Sequence, residues 1–250
     1  MTPHQFAPNN LNYISCDRCF YLSHKYKIQY QSGFPTVFST LDKYQKERYV
    51  NLTTRDLSSK LEEGSFYQVP SAVEKKKRKK ENKPQYGELD LPGKVRSTTL
   101  YDNKNRSYFL EGKPDLVLKF KNQTYGVIDF KTTSEADKTS YYKNQLEAYA
   151  QIFENPGEMK TVKSPLLTPV TYLGLVQFTP NEITHHDENK YQQNFIINHY
   201  QLERNEKTTL DFKHYITKLI DIIELPKQPE FNEDCTICKD YKKTCLVSGG

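Results

Sequence analysis

The sequence predicts an α/β fold, and three stretches carry that expectation. Two apolar runs, 116–120 and 125–130, flank the polar turn Lys121-Asn122-Gln123 and read as a β-hairpin. Residues 139–154 read as an amphipathic helix with Tyr142, Leu146, Tyr149 and Phe153 along one apolar stripe. Residues 170–178 read as a buried strand.

The hairpin carries charge where an apolar hairpin has little use for it. Asp115 and Asp129 are equidistant from Asn122. An antiparallel pair centred there sets the two carboxylates opposite each other, about 5 Å apart at Cα. Lys131 follows Asp129 by two residues, so the strand period puts it on the same face. Opposed carboxylates repel and are costly to desolvate. A bound divalent cation would remove the repulsion. The plain alternative is a solvated sheet face with incidental charges.

Gly112-x-x-Asp115, then Asp129-x-Lys131, then Gln145-x-x-x-Tyr149 occur in that order at short spacings. Together they resemble the RecB-like branch of the PD-(D/E)XK nucleases, which includes CRISPR adaptation nucleases and AddB-type repair nucleases. The resemblance implies a restriction-endonuclease-like core, a mixed central sheet flanked by helices. It implies that Asp115, Asp129 and the backbone carbonyl of Phe130 bind Mg2+ or Mn2+ through hard oxygen ligands. Lys131 would orient or deprotonate the attacking water. Gln145 would hold the lysine or the nucleophile, and Tyr149 would line the site or touch DNA. The implied reaction is phosphodiester hydrolysis of DNA, exonucleolytic, in DNA repair, recombination or CRISPR adaptation. The implied partners are DNA, single-stranded or with free ends, and a helicase or a CRISPR adaptation complex. The rival reading is a non-catalytic nucleic-acid-binding subunit that keeps only the cysteine site. A third is a structural zinc protein that binds RNA. The intact acids and lysine favour the enzyme.

With 250 residues the expectation is one nuclease domain over 1–250, its core at about 97–200, with helical and cysteine-bearing flanks at 1–60 and 207–247. A net charge of +5 favours a polyanionic partner without demanding one. Nineteen tyrosines and thirteen phenylalanines argue for a folded chain. No apolar run approaches the roughly 18 residues of a membrane span. The first residues lack a signal-peptide pattern. The expectation is therefore a cytoplasmic protein with no membrane contact.

Ahead of the hairpin, residues 39–51 read as a helix with Asp42 and Glu47. The family core takes an acid or histidine from such a helix to complete the metal shell. His24 lies too close to Cys16 for that role, and Asp42 and Glu47 do not share a helical face, so one of the two acids would serve. The run Lys75-Lys76-Lys77-Arg78-Lys79-Lys80 reads as an extended loop, because like charges repel. Its function would be to contact DNA phosphates, and its bland alternative is a solvated loop. Residues 98–101 and 107–111 read as a hairpin that gives the sheet its first strands. His185 and His186 fall in a polar turn between strands at 170–178 and 191–200. Residues 208–224 read as a core-packing amphipathic helix.

Five cysteines in a chain of this class read as metal ligands before disulfides. Thiolates select zinc or iron–sulfur clusters. Cys235, Cys238 and Cys245 lie close together near the end, and Cys16 sits near the beginning on a short helix that Ser15 could cap. Cys16 opens a Cys-x-x-x-Phe-Tyr-Leu segment, which resembles that of the cluster-bearing RecB-like enzymes. The resemblance implies a 4Fe-4S cluster on Cys16, Cys235, Cys238 and Cys245, with zinc as the alternative metal and Cys19 as the alternative to Cys16. Such a site would clamp the two ends of the chain and couple metal binding to folding.

Overall fold

The computed structural model describes residues 16–28, 36–49, 52–83, 88–133, 139–159, 162–187 and 190–240. In chain order the elements are α1 (Asp17–Lys25), α2 (Thr36–Arg48), α3 (Thr54–Leu57), β1 (Gly64–Phe66), α4 (Ala72–Lys80), β2 (Val95–Arg96), β3 (Leu100–Tyr101), β4 (Ser107–Tyr108), β5 (Glu111–Gly112), β6 (Leu116–Phe120) and β7 (Tyr125–Thr132). They continue with α5 (Thr139–Glu154), β8 (Glu158–Met159), β9 (Val162–Lys163), β10 (Val170–Asp187), β11 (Lys190–Leu202) and α6 (Glu206–Glu224).

The central sheet is mixed and five-stranded, in the order β1-β6-β7-β10-β11. The β6–β7 hairpin is antiparallel, and α5 crosses over to bring β10 in parallel beside β7. The alternation of side chains along β7 divides the core. Val127 faces Leu146 and Phe153 of α5, whereas Ile128 and Phe130 face Tyr49, Phe66 and Tyr172. With helix on one face and aromatic packing on the other, β7 is covered on both sides, as its near-continuous apolar run requires.

Two features set α5 in place. Its stripe of Tyr142, Leu146, Tyr149 and Phe153 is buried. Behind it, Arg204 pairs with Glu147 at 2.9 Å and with Glu154 at 2.7 Å, which ties the helix to the β11–α6 connection. Arg204 thereby satisfies Glu147, a charge that is only 1% exposed. Helix α6 starts with a reciprocal cap between Asn205 and Thr208, each side chain accepting the other's backbone N–H at 2.9 Å.

Several elements depart from the sequence expectation. The strand beside β6 is β1; the expected hairpin at 98–101 and 107–111 forms as β3–β4 but stands as a ribbon apart from the central sheet, as does the β2–β5 ribbon. Asp102 explains the local turn there: buried, it accepts the backbone N–H groups of Lys104 and Arg106 and pairs with the Arg106 guanidinium at 2.6 Å. β1 holds its place through Gly64, where a Cβ would come within 2.3 Å of the Lys119 carbonyl. The basic run is helical rather than extended. Ser71 caps α4 by accepting the Glu74 N–H at 3.1 Å, and Arg78 pairs with Glu74 at 2.8 Å and with Asp90. Four basic residues then occupy the last turn, where the helix dipole favours them. β10 and β11 outrun β7, so His185 and His186 belong to β10 and not to a turn; the His185 ring lies 4.5 Å from that of Tyr191. Among the described residues no helix is long and apolar enough to cross a membrane.

Candidate active site and thiol centre

Register builds the first site. Leu116 pairs with Ile128 as the last pair of the β6–β7 ladder, so Asp115 and Asp129 take the next opposed positions. Asp115 Oδ2 accepts the backbone N–H of Phe130 at 2.9 Å, and its Oδ1 lies 2.9 Å from the Lys46 ammonium. Asp129 is 3% exposed; its Oδ1 accepts from Gln145 Nε2 at 3.0 Å and its Oδ2 pairs with Lys131 at 2.6 Å. The Lys131 ammonium also sits 4.9 Å from the centre of the Tyr142 ring.

Burial pushes the Asp129 carboxyl up to about 7; the nearby Asp115 charge adds to the rise and Lys131 opposes it. For Lys131, burial works against the ammonium, but Asp129 outweighs it and holds the pKa above its ordinary value. Lys46 behaves in the same way, with Asp115 outweighing burial. Each acid thus already has a cation on one oxygen.

Tyr149 stands behind this pair. Its hydroxyl donates to the Lys113 carbonyl at 2.7 Å, which fastens the segment that leads into Asp115. Burial, then the charges of Asp129 and Asp115, hold its pKa well above the usual phenol value. It lines the site from inside the fold and is 3% exposed.

The α2 acids separate clearly. Asp42 reaches the site through Lys46, which lies 2.9 Å from it and 2.9 Å from Asp115. Glu47 points elsewhere and pairs with Lys43 at 3.7 Å on the exposed side. Gln45 Nε2 donates to Thr132 Oγ1 at 3.3 Å and pins α2 to the end of β7. Lys46 is the residue that sequence reading missed. Its only local signal is the i,i+4 spacing from Asp42, and its link to Asp115 spans the sheet.

The donor set at this site suits Mg2+ or Mn2+. Two carboxylates on opposed strands offer hard oxygens, the ligand type these ions take, and Lys46 and Lys131 now occupy one oxygen of each.

The second site joins the ends of the described chain. The sulfurs of Cys16, Cys19, Cys235 and Cys238 all lie within 4.8 Å of one another and are buried. Cys16 to Cys238 is 3.4 Å; Cys19 is 3.7 Å from both Cys235 and Cys238. Cys16 is the N-cap residue of α1 and Cys19 lies in its first turn, and Cys235 opens a short helical turn that carries Cys238. Arg18 braces the junction by donating to the Pro229 carbonyl at 2.8 Å and stacking over Phe231 at 3.9 Å. Cys16 and Cys19 shift in opposite directions: a hydrogen bond from Cys19 lowers Cys16 to about 5 against the effect of burial, while the hydrogen bond with Cys16, then burial, raises Cys19. Four buried sulfurs this close together form a ligand set that a bound cation would stabilise as thiolates. Cys19 therefore stands among the four thiols, in company with Cys16 rather than in its place. Cys245 lies outside the described residues.

The basic run lines a hollow of its own. Lys75, Lys76 and Lys79, with Asn82 and Lys83, surround an open cavity of about 520 Å³. Lys77 and Lys80 are exposed, and Arg78 is held by Glu74 and Asp90.

Among curated proteins, none matches this chain. A solved structure described as "Crystal structure of SSO0001" is 19% identical, with a TM-score of 0.32, over 58% of this chain and 55% of that one. This chain thus spans about half the length of that structure. The model of the PD-(D/E)XK nuclease superfamily matches residues 34–246, more than four fifths of the sequence, and the chain belongs to that superfamily.

Proposed function

We propose that this protein is a metal-dependent deoxyribonuclease that degrades DNA from an end, in repair, recombination or CRISPR adaptation. The observation that carries the reading is the opposed pair Asp115 and Asp129, each with a lysine on one oxygen. Asp115 and Asp129, with the Phe130 carbonyl, would hold Mg2+ or Mn2+, and Asp42 would join them in preference to Glu47, a choice its shared contact with Lys46 supports. A cation held there would supply Lewis-acid chemistry, polarising the scissile phosphate and lowering the pKa of a water. Lys131, as the ammonium, would orient that water and offset the charge that develops on the phosphoryl oxygens. Gln145 fixes the Asp129 carboxylate, and Tyr149 fixes the strand entry at Lys113. The lysines of α4 supply sequence-independent phosphate contacts. A helicase or an adaptation complex would present the DNA end.

The thiol spacing supports a single tetrahedral ion. Four thiolates at 2.3 Å from zinc lie about 3.8 Å apart; three of the sulfur pairs here are at 3.4, 3.7 and 3.7 Å and all lie within 4.8 Å. A four-iron–four-sulfur cube places one iron beneath each thiolate and spreads the sulfurs further. We infer zinc on Cys16, Cys19, Cys235 and Cys238. The cluster with Cys245 remains the reading that the N-terminal segment favours.

The test is a cleavage assay with Mg2+, Mn2+ and EDTA on linear, circular and single-stranded DNA and on RNA. Cation-dependent loss of linear DNA with circular DNA spared supports the proposal. Absence of cleavage on every substrate, with tight binding retained, would establish the non-catalytic subunit instead. Cleavage of RNA alone would move the substrate.

A further inference from the structure

Gln177 is fully buried on β10, and neither its Oε1 nor its Nε2 has a hydrogen-bond partner among the described residues. A buried amide left in that state destabilises a fold, and an apolar side chain would serve packing better. Its place gives the reason for it. In the parallel β7–β10 pair Gln177 is in register with Lys131, and Leu175 with Asp129. Val127, Leu173 and Leu175 share the α5 side of the sheet, so the alternation places Asp129, Lys131 and Gln177 on that face too. Adjacent strands lie about 4.8 Å apart, which puts Gln177 next to Lys131. Gln145 Oε1, from α5 over the same face, also lacks a partner.

Lys131 now rests on Asp129 Oδ2 at 2.6 Å. That is an oxygen a divalent cation would need, and the cation would repel the ammonium. We propose that Gln177 is the positioning residue that receives Lys131 when a divalent cation takes the Asp115–Asp129 carboxylates, together with Gln145 Oε1. The relocated ammonium stays on the α5 face, beside the reacting phosphate. The inference rests on the nuclease reading above.

The test measures Mn2+ binding to the full-length protein without DNA, by the electron paramagnetic resonance of free Mn2+. The variants are Gln177→Leu and the more flexible Gln177→Met, each alone and with Lys131→Met. Both single variants should melt at or above the wild-type temperature without metal, since they remove two orphaned polar atoms. Both should bind Mn2+ more weakly by about tenfold, because Lys131 stays on Asp129. In the Lys131→Met background the same substitutions should leave Mn2+ affinity unchanged. Wild-type affinity in the single variants, an equal loss in the Lys131→Met background, or a lowered metal-free melting temperature would each overturn the role. Wild-type protein that neither binds Mn2+ nor cleaves DNA would remove the nuclease reading itself. Wild-type protein that does both, with Gln177 variants indistinguishable from it, would remove only the proposal for Gln177.

Discussion

Asp115 accepts the backbone N–H of Phe130 across the hairpin, at 2.9 Å, so the first acid is held by the residue that follows the second. The two carboxylates keep their separation through the main chain, not through side-chain packing alone. Asp129→Ala and Lys131→Ala should therefore leave the fold in place and lower the cleavage rate by at least about a hundredfold. Circular dichroism with single-turnover kinetics checks both halves, and wild-type-like cleavage by either variant would take these residues out of the chemistry.

Lys46 sits on Asp115 Oδ1, so a divalent cation bound to Asp115 would compete with it. Lys46→Met should destabilise the metal-free protein, because Asp42 and Asp115 lose their shared counter-charge. The same variant should gain more melting temperature from Mn2+ than the wild type does. Thermal melts with and without Mn2+ read both effects; equal gains would show that Lys46 and the ion use different places.

pH should act through Asp129. Its carboxyl is raised to about 7 by burial, from about 3.9 in an unfolded chain. An acid that keeps its proton longer in the fold contributes stability that is complete below about pH 4 and is lost as pH rises through about 7. The cation needs the ionised form. Mn2+ affinity should thus climb between about pH 6 and pH 8, by no more than about tenfold per pH unit. Titrations at fixed ionic strength test this, and flat affinity over that range would place the Asp129 proton elsewhere.

The α4 lysines invite a salt experiment. Changing Lys75, Lys76, Lys79 and Lys83 to Ser, with Arg78 kept for its pairs with Glu74 and Asp90, should weaken DNA binding. The plot of log affinity against log salt should also become shallower, by nearly one unit for each phosphate that no longer meets a lysine. An unchanged slope would mean a solvated helix.

At the thiol centre, Cys19→Ser should cost as much bound metal and thermal stability as Cys238→Ser, while Cys245→Ser costs little. Elemental analysis should give one zinc per chain. Brown protein absorbing near 400 nm, with Cys245→Ser bleaching it, would favour the iron–sulfur reading and Cys245 as a ligand.

Much of the hairpin was legible because its rules are local. The turn at 121–123 and the alternation on either side fix a register that opposes residues 115 and 129. The helix at 139–154 announced its apolar stripe in the same way. The missed pieces depend on distant partners. β1 is three residues long and stands on a glycine against the Lys119 carbonyl, which leaves no periodic signal. The basic run reads as self-repelling until Ser71 and Asp90 are seen to cap and pair it. Lys46 looks like one arm of a surface i,i+4 pair until the sheet brings Asp115 to it. Cys19 could not be ranked against Cys16, because one helical turn presents both thiols to the same point.

Cys16 and Cys238 are 222 residues apart in sequence and 3.4 Å apart in space. With an ion between them the polypeptide becomes, in effect, a ring. A protease that cuts once inside that ring would leave two pieces tethered by the ion as well as by the sheet, which would come apart only when the fold is denatured and a chelator has removed the metal. The nick would be silent until both were gone.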